Sequence, residues 1–395
     1  MKMTKNIWRE LLFWRRSQEF KIIDKKPNRF DRVFFTFTLL LCMLGTMMVM
    51  SAGSAYAEFR YGDALYFMRR QILFLITGIF LMYLISRVNI KFWYKLAFPI
   101  YVITISLLLL VLIVGLVGNG AKRWISIGPI TIQPSEIAKF SMVLFLAKYY
   151  TVFEKQAILS KKKKEIFTYG TFIPFIIIGI VIFLVMLQKH LSCIIILGLI
   201  GITLMYISGI KTRYLSFFLA CGISGVTAFA LLTDYTKERI TVWQNPELYK
   251  LTGGWQTLQG LMAIGSGGLS GLGFGKGLLK YCYISEPAND MIFTVLCEEW
   301  GFLGATLTIV AFACFVFRGF SIALCAQNTF EKLLAFGICS KIAIQVALNI
   351  AVVTNTIPNT GISLPFFSYG GSSLLMLLFE MGIMLSISRN STLIK

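Results

Sequence analysis

Residues 96–118 read LAFPIYVITISLLLLVLIVGLVG, an unbroken run without one charged side chain. About 20 apolar residues carry an α-helix across a hydrocarbon core roughly 30 Å thick, and inside that core the helix must satisfy its own backbone. Working outward from this run, comparable stretches recur. Spans are predicted at 33–54, 72–88, 96–118, 133–152, 171–188, 191–210, 214–232, 291–316, 333–353 and 371–388. The expected fold is all-α, a polytopic integral membrane protein of about ten transmembrane helices. Composition agrees, because only 14% of the 395 residues are charged and 57% are hydrophobic, where a soluble domain carries about 25% charged residues. No cleavable leader is expected: residues 1–32 are too polar for an h-region, and the first apolar run is long enough to span.

The net charge of +20 would suggest nucleic acid in a soluble protein. Its distribution excludes that reading. With the N-terminus in the cytoplasm, 25 of the 38 Lys and Arg fall on the cytoplasmic side and 11 on the outer side, with Lys139 and Lys341 inside spans. This is the positive-inside asymmetry of a multi-pass membrane protein with both termini cytoplasmic. Lys161 to Lys164 read as a topology anchor beside anionic lipid. The chain divides into a basic N-terminal segment (1–32), one membrane domain (33–388) and a short cytoplasmic tail (389–395). Around Trp8, Leu11, Leu12 and Trp14 the first segment is either an interfacial helix or a plain basic tail. Of eight cysteines all but Cys282 lie in or beside apolar spans, so no disulfide is expected. His190 is the sole histidine, which excludes any site needing two.

Loop length singles out one face. Residues 233–290 form a long extracellular loop between helices seven and eight, and 119–132 and 354–370 lie on the same side. Long loops are uncommon unless they are functional. Asp290 sits where the first of these re-enters the membrane, as either a cap of span eight or a catalytic carboxylate. Glu298 and Glu299 lie two turns further on and are expected to pair with cations on neighbouring spans. Residues 265–277 hold seven glycines in thirteen positions. Such backbone can approach a ligand and offer N–H groups to an anion, or can simply be a flexible loop. No strand precedes it, so a dinucleotide fingerprint is not supported. Gln133-Pro134-Ser135-Glu136 opens span four, with Glu136 and Lys139 on one helix face. They are either a buried pair locking two helices together or a cation lining a polar cavity. Arg123 and Trp124 precede them at the interface. Finally, 357–373 (IPNTGISLPFFSYGGSS) interrupts apolar sequence with prolines, glycines and hydroxyls. Broken backbone at that depth must be packed in protein or line a wet cavity.

These stretches resemble the SEDS family (shape, elongation, division and sporulation), the RodA/FtsW/SpoVE group, over residues 33–388. The matches are R-W-I then Q-P-S-E-x-x-K, A-I-G-S-G-G-L-x-G-x-G, E-P-x-x-D-x-I-F then E-E-x-G, and T-G-I-x-L-P-F-x-S-Y-G-G-S-S, in that order. The resemblance implies a peptidoglycan glycosyltransferase that polymerises lipid II outside the cytoplasmic membrane of a bacterium. It would work with an undecaprenyl-linked glycan strand, a class B penicillin-binding protein and other division or elongation proteins. It puts the essential aspartate on Asp290, the important arginine and tryptophan on Arg123 and Trp124, and the buried lysine on Lys139. Candidate substrate contacts on the same segments are Glu136, Arg239, Gln256, Gly267, Gly268, Glu286, Ser368 and Gly370. Three departures stand out. The family's E-x-H-T-D-F reads Glu286-Pro287-Ala288-Asn289-Asp290-Met291, its Q-P-D reads Gln188-Lys189-His190, and its Y-Q-x-x-Q-S ends in Gly260.

A pyrophosphate leaves as a stable anion and needs cations rather than an acid, so one base is enough where a glycosidase needs two carboxylates. The expectation is that Asp290 deprotonates the acceptor hydroxyl. Arg123, Lys139, the glycine-loop amides and Mg²⁺ or Mn²⁺ would receive the pyrophosphate, and no organic cofactor is expected. The rival readings are a lipid II flippase, which would need a cavity opening to each leaflet in turn, and a non-catalytic divisome or elongasome scaffold.

Overall fold

The computed structural model describes residues 30–118, 121–127, 130–232, 234–281, 283 and 286–391. The interfacial-helix reading of the N-terminal segment, Cys282 and the end of the C-terminal tail lie outside the described residues. Three helices, α1 (Arg32–Tyr61), α2 (Tyr66–Ile85) and α3 (Ile90–Val114), lead into a small antiparallel meander of β1 (Leu116–Gly118), β2 (Ala121–Ile127) and β3 (Ile130–Ile132). There follow α4 (Pro134–Val152), a π-helical turn at Lys155–Leu159, α5 (Lys163–Leu187), α6 (Leu191–Ile207) and α7 (Thr212–Leu232). The long loop is not structureless: it carries α8 (Asp234–Gln244) and α9 (Trp255–Ser266). The chain ends in α10 (Ile292–Leu324), α11 (Thr329–Val353) and α12 (Gly371–Asn390). Among the described residues seven helices are long and apolar enough to cross a membrane. Helices α4, α6 and α7 occupy the three remaining positions expected from the sequence, so the all-α, ten-helix plan stands with one β meander added.

Local chemistry sets the helix ends. The Asp31 carboxylate accepts the Phe34 N–H at 2.8 Å to start α1, and the same side chain pairs with Arg318 at 2.7 Å. Asn89 caps α3 and Asn328 caps α11 in the same way, each at 2.9 Å. Pro134 takes the first turn of α4, where a missing N–H costs nothing.

Every residue of α4 from Ala138 to Tyr150 is buried. A helix buried all round belongs in the middle of a bundle. Helices α3, α6 and α11 pack around α4, while α12 lies mainly against α2. Helix α2 shows most of its surface outward, with Leu73, Ile76 and Phe80 more than 60% exposed, as lipid-facing side chains are. The seven cysteines among the described residues are unpaired.

Helix α10 breaks at Gly301 (φ 65°, ψ −168°). At that break the glycine-rich loop lies flat against it. A Cβ on Gly267 would sit 2.0 Å from the Cys297 carbonyl oxygen, and one on Gly271 would sit 2.2 Å from that of Glu299. Amides at the end of the loop and just beyond it bond carboxylates, and those carboxylates are the chain's own. Glu298 accepts the N–H groups of Leu278 and Leu279 at 2.7 and 3.1 Å, and Glu299 accepts that of Gly275 at 3.0 Å. Glu299 also takes Ser51 and the buried Lys280, the latter at 2.7 Å. Its cation therefore comes from the loop, not from a neighbouring span.

Candidate active site

The ends of several helices and the meander enclose one polar cavity of about 620 Å³. Arg123, Trp124, Glu136, Lys139, Arg239, Gln256, Glu286, Asp290 and Gly370, all expected from the sequence, line it together. Gly267 and Gly268 do not. In this loop the N–H groups of Leu272, Gly273 and Gly275 are taken by Glu298 and Glu299 of α10, so they do not face a departing phosphate as expected. Ser368 also faces away from the main cavity and lines a small neighbouring pocket. Its hydroxyl accepts the Leu364 N–H at 2.7 Å and donates to the Asn289 carbonyl at 2.6 Å, so it fixes the approach to Asp290.

Asp290 is positioned through its backbone. The buried Asn349 side chain donates to the Asp290 carbonyl at 2.9 Å and to the Ile362 carbonyl at 2.6 Å, tying the start of α10 to the 357–373 loop. Met291, not Asp290, is the N-cap residue of α10, and no side chain caps that helix. The carboxylate is recessed in protein yet keeps access to the cavity, within van der Waals range of Gly361, where a Cβ would lie 3.7 Å from Oδ2. Burial first, and then the Glu286 carboxylate, raise its pKa to about 6, against the pull of its own and Met291's amides and of Arg239. Glu286, at φ 51°, accepts the Asn289 side-chain N–H at 2.9 Å.

The cations arrive from different segments. Residue 124 pairs with 116 but 122 with 117, so Arg123 is the extra residue of a β-bulge. Bulges re-aim side chains, and this one's guanidinium donates to the Lys189 carbonyl at 2.5 Å. Lys139 pairs with Glu136 at 2.8 Å and donates to Gln345 at 3.3 Å, and both members of the pair line the cavity. The pair thus lies within one helix and faces the cavity, and it is Lys139's bond to Gln345 that joins α4 to α11. Arg239 donates to the Asn359 carbonyl, whose side chain in turn reaches Gln256 at 3.3 Å.

Sequence reasoning missed several lining residues. Arg70, at the start of α2, stacks over Tyr66 at 4.7 Å and acts electrostatically on the Tyr369 hydroxyl. Its signal in the sequence was only its place in an outer loop. His190 was noted as a departure and is now seen in the cavity wall. Burial first, then Arg123 and Lys139, hold its imidazole neutral, down at about 3. Among the described residues no three His, Cys, Asp or Glu gather into a metal-binding group.

Such an arrangement suits one base and several cations acting on an anionic polar substrate. Similarity to known proteins bears on its identity. The family described as cell cycle proteins of the FtsW/RodA/SpoVE type matches residues 31–393. Stage V sporulation protein E of Bacillus subtilis is 40% identical over 365 residues, covering 91% of this chain and 97% of the relative. A probable peptidoglycan glycosyltransferase FtsW of Geobacter sulfurreducens is 36% identical, covering 92% and 96%. Among solved structures, a chain of a peptidoglycan synthase complex that coordinates polymerization and crosslinking matches with a TM-score of 0.76 at 25% identity, covering 92% and 99%. The rod shape determining protein RodA of Thermus thermophilus matches at 0.68 and 27%, covering 92% and 98%. With a profile match over nearly its full length and relatives above 30% identity covered almost end to end, the chain belongs to the FtsW/RodA/SpoVE family of polytopic membrane proteins.

Proposed function

We propose that this protein is a peptidoglycan glycosyltransferase that polymerises lipid II into glycan strands at the outer face of a bacterial cytoplasmic membrane, with both termini inside. The observation that carries the reading is the state of the cavity's acids. Glu136 is taken by Lys139 and Glu286 by Asn289, whereas among the described residues Asp290 has no salt bridge and no hydrogen bond to another side chain, only the pull of its own and Met291's amides. A base must be free in this way to reach a substrate proton.

In the reaction, the Asp290 carboxylate accepts the proton of the acceptor sugar hydroxyl. The hydroxyl oxygen bonds to the anomeric carbon of the donor, and the carbon–oxygen bond to phosphate breaks with its electron pair staying on the lipid pyrophosphate. One displacement inverts the anomeric centre. Arg123, Arg239 and Arg70 supply fixed positive charge around the leaving anion, in a recess where such charges act more strongly than in water. Mg²⁺ or Mn²⁺ would be held by Glu286 together with phosphate oxygens and water, as hard cations commonly are, and would neutralise leaving-group charge. A class B penicillin-binding protein is the proposed partner, alongside other division or elongation proteins.

Purified protein in lipid nanodiscs should convert lipid II into polymer, alone or with its cognate penicillin-binding protein. Asp290→Asn, inserted and folded as well as wild type, should make none. Polymer at more than a few per cent of the wild-type rate overturns the assignment.

A further inference from the structure

Among the described residues, three side chains that line the cavity carry buried polar atoms with no partner: Arg123 Nε, His190 Nδ1 and Thr360 Oγ1. Unpaired buried polar atoms are costly and rare, so three around one space point to a missing group. They come from separate segments held in register. Arg123 is anchored on the Lys189 carbonyl at 2.5 Å, and the Ser192 hydroxyl donates to the Thr360 carbonyl. His190 is about nine-tenths buried and is the N-cap residue of α6, a 17-residue helix. Arg Nε–H can only donate, and the hydroxyl and imidazole can donate as well. The missing group is therefore rich in acceptors, and the positive end of α6 favours a negative one.

We propose that His190, with Arg123 and Thr360, binds the diphosphate of a lipid-linked substrate or product, and that its imidazole takes up a proton when that anion arrives. The charges facing the imidazole fix the sign. Arg123 from β2 and Lys139 from α4 oppose protonation; Glu136 is already committed to Lys139, and Cys193 on α6 is a buried thiol. Alone, the imidazole is neutral across the physiological range. An opposite charge in contact raises a pKa by about 1–3 units, so a diphosphate lifts this group from about 3 toward the acid edge of the physiological range. Binding is then tighter at pH 6 than at pH 8, an effect set by this chain's own histidine. The inference rests on the glycosyltransferase reading only for the identity of the lipid.

His190 is the sole histidine, so its ¹⁵N-imidazole signals need no assignment. Full-length protein in nanodiscs would be titrated with inorganic phosphate, inorganic pyrophosphate or undecaprenyl pyrophosphate between pH 5 and 8. The expected result is that pyrophosphate forms shift the neutral imidazole toward imidazolium as the pH falls from about 6 to 5, the lipid-linked form at the lowest concentration. His190→Gln should then weaken undecaprenyl pyrophosphate binding roughly tenfold at pH 6, the loss of one charge-assisted hydrogen bond, and flatten its pH dependence. Imidazole nitrogens unmoved by either pyrophosphate form, an equal response to inorganic phosphate, or an unchanged pH dependence in His190→Gln each overturn the proposal. A protein that polymerises lipid II while this signal stays silent refutes this inference alone. One whose histidine responds but which makes no polymer refutes the glycosyltransferase reading instead.

Discussion

Replacing Glu286 by Gln removes the negative charge that, after burial, does most to hold Asp290 in its protonated form. The Asp290 carboxyl ionises at about 6, so as a base it is competent above that pH and lost below it. At pH 5 about a tenth of the molecules carry the carboxylate and at pH 7 about nine-tenths, so turnover at limiting lipid II should rise roughly ninefold over that interval. An ordinary aspartate, at about 3.9, would change the rate by less than a tenth over the same range. Glu286 is exposed and lies on the cavity rim, so its carboxylate acts through partly screened solvent. Glu286→Gln should move the acid limb down by about half a unit, raising the pH 5 rate some two- to threefold with little effect at pH 7.5. The assay is initial-rate polymerisation of lipid II by wild type and variant in nanodiscs, from pH 4.5 to 8. A flat wild-type profile between pH 5 and 7, or an acid limb that Glu286→Gln moves upward, refutes the reasoning.

Three further outcomes follow from the packing. Lys280→Met strands the fully buried Glu299 and should lower unfolding stability in detergent by about 3–5 kcal/mol, with Lys280→Met/Glu299→Leu recovering most of it. Gly301→Ala puts a side chain at a positive φ with its Cβ 2.3 Å from the Gly271 amide, so folded yield should collapse; near-normal yield would contradict the break in α10. Asn349→Ala removes both bonds that tie Asp290 to the 357–373 loop, at about 1–3 kcal/mol. It should depress the maximal polymerisation rate more than the apparent affinity for lipid II, and the reverse pattern would show that Asn349 does not position the base.

The apolar spans were legible because membrane insertion is a local property: about 20 residues suffice, whatever lies elsewhere in the chain. Pro134 at the start of α4 was readable for the same reason, since a proline in the first turn is a local signal. Much of the site was also within reach, because Arg123, Lys139 and Asp290 stand in motifs shared across the family and all prove to line one cavity. The glycine-rich loop was misjudged for a definite reason. Its spacing left an anion-binding backbone and a flexible loop both open, and what the segment meets depends on Glu298 and Glu299, which lie more than 20 residues beyond most of its glycines and meet it only in the folded chain. The meander after α3 was missed because its strands are three to seven residues long, too short to show alternation.

By itself the sequence determined how many times this chain can cross a membrane, which ends its helices have and which motifs bear charge. Only the tertiary structure decided which of those charges are already neutralised inside the protein and which stay free to meet a substrate. Pairings such as Lys280 with Glu299, or Arg123 beside His190, join segments that no local pattern connects, and a polar group's chemistry is set by what it touches.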